Sequence, residues 1–272
     1  MDLDLTEDQE AIRDVFADFF TSETGPERAR AAEPVGFDAA AWERLMETGA
    51  PGMGVDADLG GGGASLADLA VVAEEAGARI APLPLVDHQV TARLLASVGG
   101  CDDNVLSGAA IAGLAVRPVE DGTARTVPTG AVASHLVALD GDRLITVDGP
   151  PGDPLANHGC LPLAHREVSE ATVLAKGPEA IAAYDRALDE WRTLTASTLV
   201  GITRTALDLG VAYVKEREQF GRPVGSFQAV QHLLADLPGL LDGARLLTLR
   251  RRGPVAGHRP TSRASWTWTP TT

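Results

Sequence analysis

Basic residues are the scarcer charge in this 272-residue chain: 23 lysines and arginines stand against 38 aspartates and glutamates, giving a net charge of −15. A surface of that sign repels a phosphate backbone, so nucleic acid is excluded as a partner class. Cysteine is nearly absent. Cys101 and Cys160 lie far apart with no metal-ligand spacing, so no metal site is expected and a reduced, cytoplasmic compartment is the simpler reading. No apolar run reaches the roughly 18 residues of a membrane span. Met1-Asp2-Leu3-Asp4-Leu5 has no basic segment and no long apolar run, so no signal peptide and no membrane partner are expected. The run Gly60–Gly63 precedes a helix but lacks the Lys-Ser/Thr of a phosphate loop and follows no clear strand. It reads as a flexible connection that lets two helices pack closely, rather than as a nucleotide cradle.

What is present supports a sizeable core, with 44% hydrophobic residues. The first hundred residues read as helices. Thr6-Glu7-Asp8-Gln9 has the pattern of a capping box, and Ile12, Val15, Phe16, Phe19 and Phe20 mark one apolar face after it. Pro26 suits the first turn of a short second helix. Asp38 caps a third, carrying Trp42, Leu45 and Met46 and stopping at Gly49. Ser65-x-x-Asp68 opens a fourth that ends near Gly77, and a fifth is expected from about Asp87 to Ser97 after the Pro82/Pro84 turn.

The pattern then changes. The segments 109–116, 124–127, 131–132, 135–139 and 143–147 are short, carry β-branched residues and are separated by turn residues. Asp121-Gly122 and Asp140-Gly141-Asp142 are hairpin-type turns. Helical periodicity resumes at Pro178 and runs to about Glu218. Gly201 and Gly210 interrupt it, and close packing against another helix is the reason expected for both. Ala196, Leu199, Val200, Leu207, Val211 and Val214 form one stripe; Val230, Leu233, Leu234, Leu237, Leu241, Ala244 and Leu247 form a second. Both have the spacing of core-facing helices. Between them Gly221, Pro223 and Gly225 make a turn, so the chain forms a helical hairpin whose tip carries Arg217, Gln219, Phe220, Arg222, Phe227 and Gln228. Pro238, inside the second helix, is expected to kink or weaken it. The division expected is 1–105 helical, 106–175 a small β domain, 176–249 the start of a second helical domain, and 250–272 a tail. From Arg245 to Thr272 there are six arginines and no acid. That tail reads either as disordered or as frame-altered near Leu249.

On the pattern Tyr213-x-x-x-Arg217-x-Gln219-Phe220-Gly221-x-Pro223-x-Gly225-x-Phe227-Gln228-x-x-x-His232-x-x-Ala235-Asp236, the chain resembles the acyl-CoA dehydrogenase family, as a short or C-terminally truncated member. The order Phe37, Trp42, Gly49, Gly60-Gly61, Leu69, Glu75, Gly77 and Pro82-Leu83-Pro84-Leu85 resembles the same family's N-terminal domain. The resemblance implies a mainly α fold with a small β domain: a helical N-domain, a short β-barrel middle domain and an incomplete C-terminal helical bundle. It implies FAD as cofactor, an acyl-CoA substrate oxidised between its α- and β-carbons, and a homo- or hetero-oligomer of acyl-CoA dehydrogenase subunits. An oxidoreductase of lipid metabolism is the activity it suggests.

Residue by residue, the resemblance gives Arg217 to the FAD pyrophosphate, across a subunit interface, with Gln219 and Phe220 continuing that contact. Phe227 and Gln228 go to the adenosine part. Arginine suits this task because its planar fork pairs with two phosphate oxygens. Asp189 and Arg192 match an Asp-x-x-Arg that orients the thioester side and the CoA phosphates, although the same spacing also makes an ordinary helix-surface ion pair. The chain departs from the family in three ways. Val116-Arg117-Pro118-Val119-Glu120-Asp121-Gly122 stands where members carry a Thr-Glu-Pro…Gly-Ser-Asp segment. Trp191 occupies the position where one branch keeps its catalytic glutamate, with Glu190 about 100° around the helix. The C-terminal helices that hold the base in other members lie past the end of the sequence. The catalytic base is therefore unassigned, and a non-catalytic partner subunit of a heteromeric enzyme stands as the alternative. The histidines form no ligand pair, and His232 reads as a packed or capping residue.

Overall fold

This computed structural model describes residues 4–250, the side chain of Arg250 excepted. The tail assigned above to 250–272, with His258, lies outside the described residues apart from the backbone of Arg250.

Six α-helices and a single 3-10 turn (Ala57–Leu59) precede the first strand among the described residues. Helix α1 spans Glu7–Glu23. The Thr6 hydroxyl accepts the Gln9 amide (3.3 Å) while Gln9 Oε1 accepts the Thr6 amide (3.2 Å), satisfying two end donors at once. Phe16 and Phe20 are buried, but Val15 is 62% exposed, so the apolar face is narrower than its spacing suggests. Helix α2 (Pro26–Ala31) starts with proline at its first position. Helix α3 (Ala39–Glu47) starts where Asp38 accepts the Ala41 amide. Trp42 and Leu45 of α3 close over Phe16 and Phe20 in one cluster. Helix α4 (Leu66–Ala78) opens on the reciprocal Ser65–Asp68 box, and α5 covers Leu85–Ser97. A short helix, α6 (Asp103–Ser107), follows and straddles the boundary expected between the helical and β regions at 105/106.

The glycine run has a packing role different from the one expected. A Cβ on Gly61 would lie 2.2 Å from the Val55 carbonyl oxygen, and one on Gly62 2.9 Å from that of Met53. The run is folded against the backbone of the preceding loop rather than between two helices.

Strands β1 (Ala112–Leu114), β3 (His135–Asp140), β4 (Arg143–Asp148) and β6 (Thr172–Lys176) form a four-stranded sheet in the order β1-β3-β4-β6; β2 (Thr123–Val127) pairs antiparallel with β5 (Ala164–Glu167). Strand β1 runs parallel to β3, and the other two pairings of the larger sheet are antiparallel. Both hairpin turns form as read: Asp121 and Gly122 have positive φ, and Gly141 leads the β3–β4 turn. Residues 131–132, expected to be extended, are instead a turn in which the Val132 and Ala133 amides bond to the Thr129 carbonyl. Strands β5 and β6 have little apolar alternation and were not separately legible. Strands β1, β3 and β4 are buried on both faces along their centres, while the edge strand β6 is largely exposed. Along β3, Leu136 and Ala138 pack toward β2, while Val137 and Leu139 join α4, α5 and the next helix. That two-sided burial explains the near-continuous apolar run.

Helix α7 (Pro178–Glu216) has 39 residues and is about 58 Å long at 1.5 Å per residue. Its first part packs on the sheet, α5 and α4. A Cβ on Gly201 would lie 1.9 Å from the Glu74 carbonyl oxygen, and one on Gly77 2.0 Å from that of Thr198. The two glycines let α4 and α7 touch backbone to backbone. Gly210 does not repeat this, since nothing lies within 4 Å of its Cβ position. The second helix of the hairpin is divided into α8 (Gln228–Ala235) and α9 (Leu237–Arg250). Pro238 falls in the first turn of α9, where its missing amide proton costs nothing, so it sets a boundary instead of a kink.

The hairpin is also less buried than its stripes suggest. Leu199, Leu209, Leu233, Leu240 and Leu247 are all more than half exposed. Leu199, Leu240 and Leu247 line an open apolar groove of about 910 Å³ between α7 and α8–α9. The seam below it is held by charge. Arg204 bonds Glu74 (2.7 Å) and Glu75 (2.9 and 3.0 Å), and Arg245 bonds the other oxygen of Glu74 (3.0 Å).

Candidate functional site

The turn at the tip of the hairpin is built from its backbone outward. Arg217 ends α7 in an extended conformation, its amide still bonded to the Tyr213 carbonyl. Glu218–Gln219 (β7) then pairs with Arg222–Pro223 (β8), with Phe220 and Gly221 as the two loop residues. Both have positive φ, +54° and +77°. Glycine accepts that freely; phenylalanine does so at a cost of about 1 kcal/mol. Gly225 folds the turn back onto α7, where a Cβ would meet the Val214 carbonyl oxygen at 2.9 Å.

Phe220 is 93% exposed. Its ring meets Phe227 edge-on at 6.1 Å between centroids, and the Arg222 guanidinium lies 4.1 Å above the Phe227 ring. Arg217, Gln219 and Gln228 are exposed. The Arg217 side chain makes no ion pair among the described residues. Gln228 approaches His232 at 3.4 Å, and His232 is exposed rather than packed. The five sequence-predicted residues Arg217, Gln219, Phe220, Phe227 and Gln228 thus share one turn that presents a free guanidinium, two amides and two aromatic rings. That donor set fits a phosphate with an adjoining flat ring.

Asp189 and Arg192 lie elsewhere. They bond each other at 2.9 Å on an exposed face of α7. Arg192 is 25 residues before Arg217, roughly 37 Å along the axis. A single chain does not bring the two sets together. Glu190 is held by Arg93 through two bonds (2.8 and 3.1 Å), and Arg93 also donates to the Gly54 carbonyl. Both Glu190 carboxylate oxygens are thus engaged by Arg93.

Sequence reasoning missed a partner of Trp191. Its indole donates to Asp87 Oδ1 at 2.7 Å. Asp87 stands in the first turn of α5, and burial pushes its carboxyl up to about 6, against the lowering effect of the indole bond. It lines a cleft of about 490 Å³ between the α4–α5 turn, α7 and the loop 158–162. The adjacent His88 serves structure alone. Its Nδ1 accepts the Ala112 amide and its Nε2 proton goes to the Val105 carbonyl, each at 3.0 Å, and burial pushes it down to about 4. Asp87 in the run Pro82–Gln89 carries no sequence signal of its pairing, because its partner lies 104 residues away.

Cys101 and Cys160 are free, and no cluster of three or more metal-ligating side chains occurs among the described residues. No helix among them is long and apolar enough to cross a membrane.

Helices around a small two-sheet β region, with the turn 217–228 between α7 and α8, define the class of fold. Family profiles give that class its name. The acyl-CoA dehydrogenase N-terminal domain matches residues 6–100 and the acyl-CoA dehydrogenase C-terminal domain matches 181–265. Acyl-CoA dehydrogenase IpdE2 of Mycolicibacterium smegmatis is 32% identical over 86% of this chain and 73% of that protein. Among solved structures, the Tcur3481-Tcur3483 steroid ACAD (G363A variant) is 28% identical with a TM-score of 0.78, over 90% of this chain and 76% of that one. A chain of the ChsE4-ChsE5 complex from Mycobacterium tuberculosis shares the fold at a TM-score of 0.80 and 24% identity, over 92% of this chain and 78% of that one. The chain belongs to the acyl-CoA dehydrogenase family and has its fold.

Proposed function

We propose that this chain is a subunit of an FAD-dependent acyl-CoA dehydrogenase and that its turn 217–228 supplies one half of an FAD site completed by a neighbouring subunit. The observation that carries this reading is the exposure of the turn. Arg217 is solvent-facing and without an ion pair among the described residues, beside aromatic rings held in a strained loop. Phe220 has positive φ and is 93% exposed, touching Phe227 edge-on and otherwise facing solvent. In the assembly, Arg217 would pair with the pyrophosphate, Gln219 and Phe220 would continue the contact, and Phe227 and Gln228 would meet the adenosine. Asp189 and Arg192, on a solvent-facing stretch of α7, would together orient the thioester side and the CoA phosphates.

The reaction assigned is removal of an α-proton and a β-hydride from an acyl-CoA thioester. The flavin, when bound, takes the hydride; the proton requires a carboxylate base. Two observations favour the more specific reading of a non-catalytic partner in a heteromeric enzyme. Trp191 stands where one family branch keeps that base, and Glu190 beside it is neutralised by Arg93. The paired name of the similar Tcur3481-Tcur3483 steroid ACAD fits an assembly of this kind.

The test is to purify the chain alone and with acyl-CoA dehydrogenase relatives, and to record the flavin spectrum before and after adding an acyl-CoA. Colour only with a relative supports the partner role. Colour that bleaches in the chain alone supports self-sufficient catalysis. Absence of flavin under every condition contradicts both.

A further inference from the structure

The β region holds a buried charge with no counter-charge. Arg166 takes one of the two inward positions of β5, the other being Ala164, and is 5% exposed. Its guanidinium donates to the Ala133 carbonyl (2.5 Å) and to the Gly149 carbonyl (3.4 Å). Those bonds leave part of the donor fork unused and do not neutralise it, because arginine stays charged at any physiological pH. No carboxylate among the described residues pairs with it, and burial lowers its hold on the proton without opposition. A buried charge in that state is costly.

Arg166 lines a cleft of about 570 Å³ between the end of β4, the loop 149–155 and β5. His165 on the same lining is no second cation, since its Nδ1 accepts the Thr126 amide at 3.0 Å. Four carboxylates also face the cleft. Asp148 is paired with His135, and Glu167 accepts the Thr123 hydroxyl at 3.5 Å. Asp153 and Glu170, both exposed, make no side-chain bond or ion pair among the described residues. Val147 and Leu155 supply apolar wall. None of these residues belongs to the sets assigned above to FAD or CoA.

We propose that this cleft binds a small zwitterion, with its carboxylate on Arg166 and its cationic end at Asp153 and Glu170. The guanidinium fork suits a carboxylate, which supplies the counter-charge that the chain does not. A simple anion is opposed by the acidic rim and by the net charge of −15. A simple cation is drawn to the rim but leaves Arg166 unpaired. A molecule carrying both charges on a short apolar link satisfies both ends and is neutral overall.

The test is calorimetric titration of the full chain with 4-aminobutanoate and 6-aminohexanoate as zwitterions, hexanoate as the anion and hexylammonium as the cation. The better zwitterion is expected to bind about tenfold more tightly than either singly charged probe. Arg166→Met should weaken it by about tenfold, and Arg166→Lys, which keeps the charge but not the fork, by less. The double variant Asp153→Asn/Glu170→Gln lies on the surface and keeps the test readable if the Arg166 variants do not fold. It should bring the zwitterion down to the affinity of hexanoate. Hexanoate or hexylammonium binding as tightly as the zwitterions, zwitterion affinity unchanged in the variants, or no binding by any probe overturns the assignment. A lowered melting temperature in Arg166→Met, with no probe bound by the parent, would leave the arginine as an anchor between β5 and the turn 130–134 and also overturns it.

Discussion

Helix α7 passes through two different surroundings. Around Gly201 it lies against α4 so closely that no side chain fits between the backbones, and Arg204 ties the contact to two buried glutamates. A few turns later Gly210 faces an open groove, and Leu209 and Tyr213 are more than 60% exposed. One helix with one apolar stripe thus serves both a finished core and an unfinished one. Periodicity reports that a face is to be covered, not what covers it.

The contrast can be broken most severely at Gly201. Gly201→Val should abolish the α4–α7 contact, since its Cβ would overlap the Glu74 carbonyl. The expected outcome is loss of soluble, cooperatively folding protein, read by yield and thermal melt. Arg204→Met attacks the same seam through charge. It leaves the buried Glu75 unpaired and Glu74 with only Arg245, and should cost up to about 3 kcal/mol in urea unfolding. If this variant is as stable as the parent, the ion network is not what secures the seam.

Acid should weaken the packed region through His88. The unfolded chain binds a proton at about 6.5, whereas burial delays this to about 4 in the folded state. The unfolded state therefore holds more protons between those values, and stability should fall as pH drops through that window. Asp87 acts in the opposite sense. It keeps its proton up to about 6, where an unfolded aspartate has lost it from about 4, so its contribution falls as pH rises across that range. In His88→Gln only the Asp87 contribution remains, so the urea midpoint at about pH 5, taken relative to that at about pH 7, should lie higher than in the parent. An equal difference in variant and parent would show that His88 is not the acid-sensitive group. The smallest effect belongs to the open end. Gly210→Ala meets nothing and should stabilise the isolated chain by about 0.5–1 kcal/mol, the reverse of the same substitution at Gly201.

Much of the packed region was legible in the sequence, because its signals are local. Thr6, Asp38 and Ser65 announced three helix starts, and Asp121-Gly122 and Gly141 announced two turns. The signature from Tyr213 to Asp236 led to the residues of the exposed turn. Local pattern failed where the decisive contact is distant in the chain. Glu190 could not be recognised as the partner of Arg93, nor Trp191 as that of Asp87. The leucines of α8 and α9 looked like core because burial depends on what lies opposite, and what lies opposite is not written in their spacing. Gly201 and Gly210 make the point most simply, being the same residue with the same signal.

The central claim is that the tip 217–228 lends half a flavin site to an assembly. Its most direct test is flavin retention by Arg217→Ala, co-purified with an acyl-CoA dehydrogenase relative and compared with the parent chain. The account expects the parent pair to carry FAD and the variant pair to lose it, with FAD affinity down at least tenfold, about 1.4 kcal/mol, and no change in the melting of the chain alone. Equal FAD content in the two pairs would contradict it.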